Sequence, residues 1–399
     1  MNARYTPHEL QIGIDIGSIN HAIAISDNQG NILKEFEISH SNKGFDSFFQ
    51  IVDKLSTKHH ANINVAMEGY NGWARPFDAL VLEHGYKLYN VNNVKLARFK
   101  EIFPAAAKTD SIDARKIVEL FSLRKHLPIA KEVLQEVKPS DTTNAQLKKL
   151  TRRRKQLVEE RKAIANRFGS DLQAEVPDLK ATTSSVDNLW FLRFITLRDN
   201  LVSLSRLHRN SIESIPYLSF KNVEKIIAWQ KDARFTKSIE YISSMLYDDA
   251  MRILALKDKI KELEIQIKAL IPSSKIATLI QTIPGFAHVS AGSLAGEIVT
   301  LERFESEASL ALYLGVTNLD NSSGKSKGSK RNLATNRQAK MAMITATMKH
   351  TQHVEESKKY IEKKISEGKK YQQAIRSLAR HLVRVIWNML QQDRTYEIR

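Results

Sequence analysis

Four carboxylates stand where an acid needs a reason. Asp15 interrupts the apolar run GIDIGS, and Glu68 closes the apolar run NVAM just before a glycine. Asp110 and Asp113 lie three apart in KTDSIDARKI, which reads as a helix start. A carboxylate in a buried strand is costly unless something pairs with it. Residues three apart share one helix face, so Asp110 and Asp113 can point at one spot. Two central strands and one helix can therefore carry all four acids to the carboxyl end of a sheet. Hard oxygen ligands of this kind suit Mg2+. A pair of such ions can clamp the attacking and leaving oxygens of a phosphodiester. Crowded acids repel one another unless cations lie between them. The chain has no cysteine, so a metal site must use carboxylates or histidines. Plainer readings exist for two of the four: Asp110 can cap a helix, and Asp113 can sit on its surface.

A second group is basic. NSSGKSKGSKRNLATNRQAK holds Lys325, Lys327, Lys330, Arg331, Arg337 and Lys340 and no acid. A flexible basic loop can grip phosphates. Arg152, Arg153 and Arg154 in TRRRKQ form another basic cluster. The loop also carries Ser322 and Ser323 ahead of Gly324. A serine becomes a nucleophile only when a base or a metal eases the loss of its proton. No histidine lies nearby in the sequence, so the acids would have to help. By chemistry alone, a hydroxyl in such a loop is most often a solvated linker residue.

Composition narrows the partner. The chain has 399 residues, 42% of them hydrophobic, and a formal net charge of +17. That length predicts two or three domains. The charge points to a polyanionic partner. No apolar run approaches the roughly 20 residues of a membrane helix, and MNARYTPHELQ lacks the apolar centre of a signal peptide. The lack of cysteine fits a reducing cytoplasm.

The elements that must position these groups follow from periodicity. QIGIDIGS, HAIAISDNQG and NILKEFEIS read as three strands, with DNQGN as an Asn/Gly turn. Phe45, Phe48, Phe49, Val52 and Leu55 have helical spacing. NINVAMEGYNGW reads as a fourth strand, ARPFDALVLEHG as a helix closed by Gly85, and YKLYNVNN as a fifth strand. This is the order of an RNase H-like fold and also of the actin-like ATPases. The ATPase reading needs a second glycine-rich phosphate hairpin and an adenosine site, and neither follows. Beyond Thr142, Leu150, Leu157 and Ile164 lie seven apart. Ile253, Leu256, Ile260, Leu263, Ile267 and Leu270 alternate three and four apart. These seams predict an antiparallel coiled coil, stopped by Pro272. IPGFAHVSAGSLAGEI has the form of a helix-hairpin-helix, whose turn amides can hold a phosphate. Ile375, Leu378, Leu382, Ile386 and Met389 line one face of a final helix.

With these residues in place, the chain resembles the DEDD transposases of insertion sequences, also called bridge-RNA-guided recombinases, over nearly its whole length. The resemblance is carried by Asp15 in GIDIGS, Glu68 in AMEGYNGW, Asp110 and Asp113 in KTDSIDARKI, and the TRRRKQLVEER helix. IPGFAHVSAGSLAGEIVTLERFESEASLALYLGV is similar to the family's proline-glycine opening and its later Arg-Phe and Tyr-x-Gly-Leu signatures. The Ser-Gly step that follows marks Ser323 as the family's nucleophile, with Ser322 as the fallback because the serine is doubled. Two features depart. The family's Gly-Asn-Arg element appears as TNRQAK, without the glycine, at Asn336 and Arg337. The stretch from Pro177 to Tyr247 is longer than usual.

The resemblance implies an α/β RNase H-like (RuvC-like) N-terminal domain over residues 1–130. It implies a central antiparallel coiled coil with a helical tip over 131–275, and a mainly α-helical C-terminal transposase domain over 276–399. The implied cofactor is Mg2+ on the four acids. The implied partners are target DNA, donor DNA and a guide (bridge) noncoding RNA that pairs with both, and no membrane. The implied reaction passes through a covalent phosphoserine, in a homotetramer (a dimer of dimers) whose serines and acids come from different subunits. The implied setting is the nucleoid in a bacterial or archaeal cytoplasm. Two further readings stand beside it: a RuvC-like junction nuclease in which metal-bound water attacks, and a nonenzymatic nucleic-acid-binding scaffold.

Overall fold

The computed structural model describes residues 8–397 except 71, 93–95, 98, 100–108, 127–132, 139–140, 325–327, 331 and 333–334. The chain forms two compact units, Met1–Pro139 and Ser140–Arg399. The segments expected as separate coiled-coil and C-terminal domains thus fall almost wholly within the second.

Unit one runs β1 (His8–Ile16), β2 (Asn20–Ser26), β3 (Ile32–Ser39), α1 (Asn42–His59), β4 (Ala61–Met67), α2 (Phe77–Glu83), β5 (Lys87–Val91), α3 (Asp110–His126) and β6 (Leu134–Glu136). The sheet order is β3-β2-β1-β4-β5-β6. The first three strands are an antiparallel meander, β4 lies parallel to β1, and β5 lies parallel to β4. This is the expected RNase H-like arrangement, with β6 added antiparallel to β5 at the edge. The DNQGN turn closes β2 onto β3: the Asp27 carboxylate accepts from the amides of Gln29 and Asn31 at 2.8 and 2.9 Å.

Period-two patterning divides β1 between two faces. Leu10, Ile12 and Ile14 join Phe45, Phe48, Phe49 and Val52 of α1 in one core. Gln11, Gly13 and Asp15 face the other way, toward α3. Ser41 starts α1 by accepting from the Gly44 amide at 3.3 Å, and His60 ends it in the left-handed conformation.

Unit two is built on α4 (Thr142–Glu175) and α10 (Ile239–Leu270). They run antiparallel: Arg154 pairs with Glu264 near one end, and Arg167 pairs with Asp249 nearer the other. Leu157 and Ile164 are buried with Ile253, Leu256 and Ile260. The segment between them folds into α5 (Pro177–Ala181), α6 (Leu189–Ile195), α7 (Leu201–Leu204), α8 (Arg209–Glu213) and α9 (Phe220–Asp232). Phe191, Phe194 and Trp229 there share a core with Phe168 and Leu246 of the long helices. The stretch between the long helices is therefore a small helical body packed on their ends.

At the other end of the long pair come α11 (Lys275–Gln281), α12 (His288–Ile298), α13 (Glu307–Tyr313), β7 (Leu319–Asp320), β8 (Ser329–Lys330), α14 (Arg337–His350), α15 (Glu355–Ser366) and α16 (Tyr371–Gln392). The five apolar residues of α16 are buried with Phe286, Leu294 and Met343. Leu147 of α4, Ile267 of α10 and Ala295 of α12 share one small cluster. The turn between α11 and α12 exists, with Gly285 at φ 84°. It packs inward: a Cβ on Gly285 would stand 2.4 Å from the His350 amide nitrogen, and the Pro284 carbonyl accepts from His350 Nδ1 at 2.7 Å. No helix of the described residues is long and apolar enough to cross a membrane.

One buried histidine gives unit one an acid sensitivity. His21 of β2 is 0% exposed, stacks on Phe45 and Phe77, and lies 2.8 Å from His40. Burial, and then the neighbouring His40, lower its pKa from 6.5 to about 4. Protonation therefore favours the unfolded chain. Stability is complete above about pH 6.5 and falls as pH drops toward 4. Lowering the pH from 7 to 5 should cost about 2 kcal/mol from this group. Denaturant melts of unit one should show that loss, and His21→Phe, which keeps the ring stack, should remove it.

Candidate active site

Two central strands and one helix bring the acids to the carboxyl end of the sheet, the acid edge. Asp15 lies in β1 opposite Ala22 of β2. The last paired step of β1 with β4 is Ile14 with Met67, so Glu68 is the first residue past that pairing. Helix α3 covers this face. Ala114 and Val118 of α3 pack on Ala22 and Ala24. Gly13 carries no side chain, and a Cβ there would stand 2.3 Å from the Ala114 carbonyl oxygen. The other end of α3 reaches the β2–β3 turn, where Ser122 Oγ lies 3.5 Å from a Cβ built on Gly30. So α3 runs antiparallel to β1, and its first turn lies at the Asp15 end.

That first turn carries Asp110 and Asp113. Thr109 accepts from the Ile112 amide at 3.4 Å and fills the capping position that Asp110 could have filled. Asp110 is exposed, whereas Asp113 is 8% exposed with Lys116 Nζ at 3.9 Å. The acids thus share an edge but do not close on a point. Among the described residues, no three His, Asp or Glu side chains are grouped so as to hold a metal ion. The donor set has the right chemistry for Mg2+, being all oxygen, without its coordination geometry.

The serine loop in unit two is a short hairpin arm. Leu319 pairs with Lys330 and Asp320 with Ser329. The Asn321 amide donates to the Gly328 carbonyl at 2.9 Å. Ser322 and Ser323 follow this pairing and are exposed, and Gly324 turns the chain at φ 55°. Of the basic residues, Lys330 and Arg337 are exposed and Lys340 is half-buried. Lys325, Lys327 and Arg331 lie outside the described residues. Arg153 is exposed beside Gln156. Arg152 and Arg154 have carboxylate partners, Glu297 and Glu264.

Glu297 was not singled out from the sequence. It is 0% exposed, at the end of α12. Its Oε1 accepts from Arg152 Nε at 2.6 Å, and its Oε2 accepts from Arg152 Nη2 at 2.9 Å and Asn336 Nδ2 at 2.8 Å. Its own carbonyl accepts from Tyr313 Oη at 2.9 Å and Arg303 Nη1 at 3.0 Å. Burial pushes its pKa up, but Arg152, Lys148 and Asn336 outweigh burial and hold it below the usual range. The signal was available: Glu297 is the only acid in HVSAGSLAGEI, an otherwise small and apolar helix.

Family models match both halves of the molecule. One, described as "Transposase" and representing DEDD transposases of the IS110 type, matches residues 12–177. A second, "Transposase IS116/IS110/IS902 family", matches residues 277–362. The chain belongs to the IS110 family of transposases. The transposase is 22% identical to the "Insertion element IS116 uncharacterized 44.8 kDa protein" of Streptomyces clavuligerus, covering 98% of this chain and 97% of that protein. It is also 22% identical to the "Insertion element IS110 uncharacterized 43.6 kDa protein" of Streptomyces coelicolor, over 97% and 95% of the two chains. Among solved structures, T. thermophilus RuvC in complex with a Holliday junction substrate is similar over 32% of this chain and 99% of its own, at 12% identity. The TM-score there is 0.24.

The transposase is thus an enzyme of DNA cleavage and transfer. The first matched segment holds all four acids, and the second holds Glu297, both serines and Asn336. The spacing of α3 from β1 should control the acid edge. Gly13→Ala should cost about 1–3 kcal/mol of stability by overpacking, and it should reduce strand cleavage. Ile12→Val, on the opposite face of β1, should cost about 1 kcal/mol and leave cleavage intact. Chemical melts and a nicking assay on both variants check this.

Proposed function

We propose that the transposase cleaves and rejoins target and donor DNA under the direction of a guide RNA, through a covalent phosphoserine. One observation supports this most: an edge of acids and an exposed Ser-Ser-Gly hairpin tip occur in one transposase chain. In this reading Asp15, Glu68, Asp110 and Asp113 hold Mg2+. When bound, Mg2+ supplies charge neutralisation at the phosphate and at the departing oxygen. Ser323, or Ser322 one residue earlier, attacks phosphorus. An Oγ–P bond forms as a P–O bond to one DNA end breaks. The serine proton passes to an acceptor in the acid site, and the departing DNA oxygen gains one. A DNA hydroxyl then attacks the phosphoserine and releases the serine. Each bond is exchanged for one of the same kind, so no external energy source is needed.

Lys330, Arg337 and Lys340, with Lys325, Lys327 and Arg331, hold the DNA backbone beside the serine. Arg153 adds to this, and so does Arg152, whose side chain is 45% exposed even while paired. Sequence reading passes to base pairing with the guide, and the +17 charge carries the polyanions. The serine and the acids meet from different subunits of a homotetramer, with α4 and α10 as the coiled-coil contact. The work is done at the nucleoid of a bacterial or archaeal cell.

In the second reading the same acids activate a water molecule, and the serine loop only binds. Trapping on a denaturing gel separates the two. The wild type should form a covalent protein–DNA adduct, and Ser323→Ala, or the Ser322/Ser323 double alanine variant, should not. Asp15→Asn should lower cleavage by about 10³-fold or more, the loss of several kcal/mol of charge stabilisation. Cleavage without adduct in the double variant establishes the water nuclease. Full cleavage in all three variants contradicts the acid and serine assignments alike.

A further inference from the structure

We propose that Glu297 is the anchor that sets the serine hairpin in its working position. The proposal rests on the serine reading above. Tyr313 ends α13, at the start of the arm, and Asn336 starts α14, at its finish. Both meet on one residue. Asn336 Nδ2 donates to the Glu297 carboxylate at 2.8 Å, and Tyr313 Oη donates to the Glu297 carbonyl at 2.9 Å. The two also bind each other: Asn336 Nδ2 lies 2.7 Å from Tyr313 Oη, and the Asn336 amide donates to the Tyr313 carbonyl at 2.8 Å. Asn336 Oδ1 meanwhile accepts from the amides of Gln338 and Ala339 at 3.0 Å, so the same side chain begins α14.

The other side of Glu297 is fixed by Arg152 of α4, in a two-point bond of 2.6 and 2.9 Å. A planar guanidinium bonded at both oxygens allows the carboxylate one orientation. Oε2 also accepts from Asn336 and faces Lys148 Nζ of α4 at 4.0 Å, so the base of the arm is tied to α4 through Glu297. A buried ion pair is poor value as stability, because an apolar core of the same volume serves as well. It does supply a fixed geometry. The arm beyond its base is exposed at Leu319, Ser322, Ser323 and Lys330. A nucleophile on such an arm keeps its position only as well as its base does. Because catalysis responds steeply to misplacement, Glu297, Asn336 and Tyr313 are positioning residues.

Asn336→Ser tests this in the full-length protein, because serine keeps the cap of α14 and removes only the amide donor. Tyr313→Phe is a second variant that keeps the ring. The proposal expects near-wild-type melting and faster hydrogen exchange at residues 316–336. It also expects a single-turnover cleavage rate about tenfold to a hundredfold lower at unchanged DNA affinity. Wild-type exchange across 316–336 in both variants overturns the anchor. So does weaker DNA binding with the rate constant intact. Faster exchange with a wild-type cleavage rate overturns the serine reading, and the anchor's purpose with it, while leaving the mechanical contact standing.

Discussion

The close approach of α3 to β1 is the constraint on which the acid edge depends. Three small residues on neighbouring strands, Gly13, Ala22 and Ala24, leave room for the backbone of α3 at Ala114. A larger side chain at any of them would lift the helix, because packed interiors have little slack. Lifted, the first turn of α3 would carry Asp110 and Asp113 away from Asp15. The fold thus spends a strand position on glycine to obtain a helix at backbone distance. Arg115 adds a lateral tie by pairing with Glu35 of β3. The opposite face of the sheet does the ordinary work of stability, with four large α1 side chains buried against β1.

Unit two solves a different problem. Its exposed arm has little core of its own, since β7 and β8 have two residues each. Order there comes from hydrogen bonds at the base. Thr335 Oγ1 donates to the Asn332 carbonyl at 3.0 Å, and Asn336 binds Tyr313 and Glu297. A strongly basic chain needs such carboxylates internally. Glu297, Glu264 and Asp249 each take an arginine from α4. The Glu264 and Asp249 pairs align the long helices, the Glu297 pair ties α4 to α12, and all three limit the self-repulsion of a surplus charge.

Much of this was legible in the sequence, and the misses have physical causes. The alternation of Leu10, Ile12 and Ile14 with Gln11, Gly13 and Asp15 marked β1 and both its faces. Heptad spacing marked the long antiparallel pair, and the α16 stripe is buried as expected. Strand β6 escaped because three residues carry no period. A helical tip was expected between α4 and α10, but its separate helices escaped because they are mostly short, with α7 only four residues long. The α11–α12 turn has the sequence of a phosphate-binding hairpin, yet its glycine serves close packing on His350. Glu297 escaped because its partners, Arg152 and Asn336, lie far along the chain on either side. Arginines in a run look alike in sequence, and only the fold separates Arg153, on the surface, from Arg152 and Arg154, which have acids to meet.

The proposed role of the acid edge is to hold divalent cations. The most direct test is a crystal structure of the full chain grown with Mn2+, with anomalous scattering to locate the ions. The account predicts anomalous peaks at the end of β1, within coordination distance of Asp15 and Asp113, with Glu68 or Asp110 drawn in beside them. Peaks confined to other surfaces, with Asp15 and the first turn of α3 as far apart as before, would contradict it.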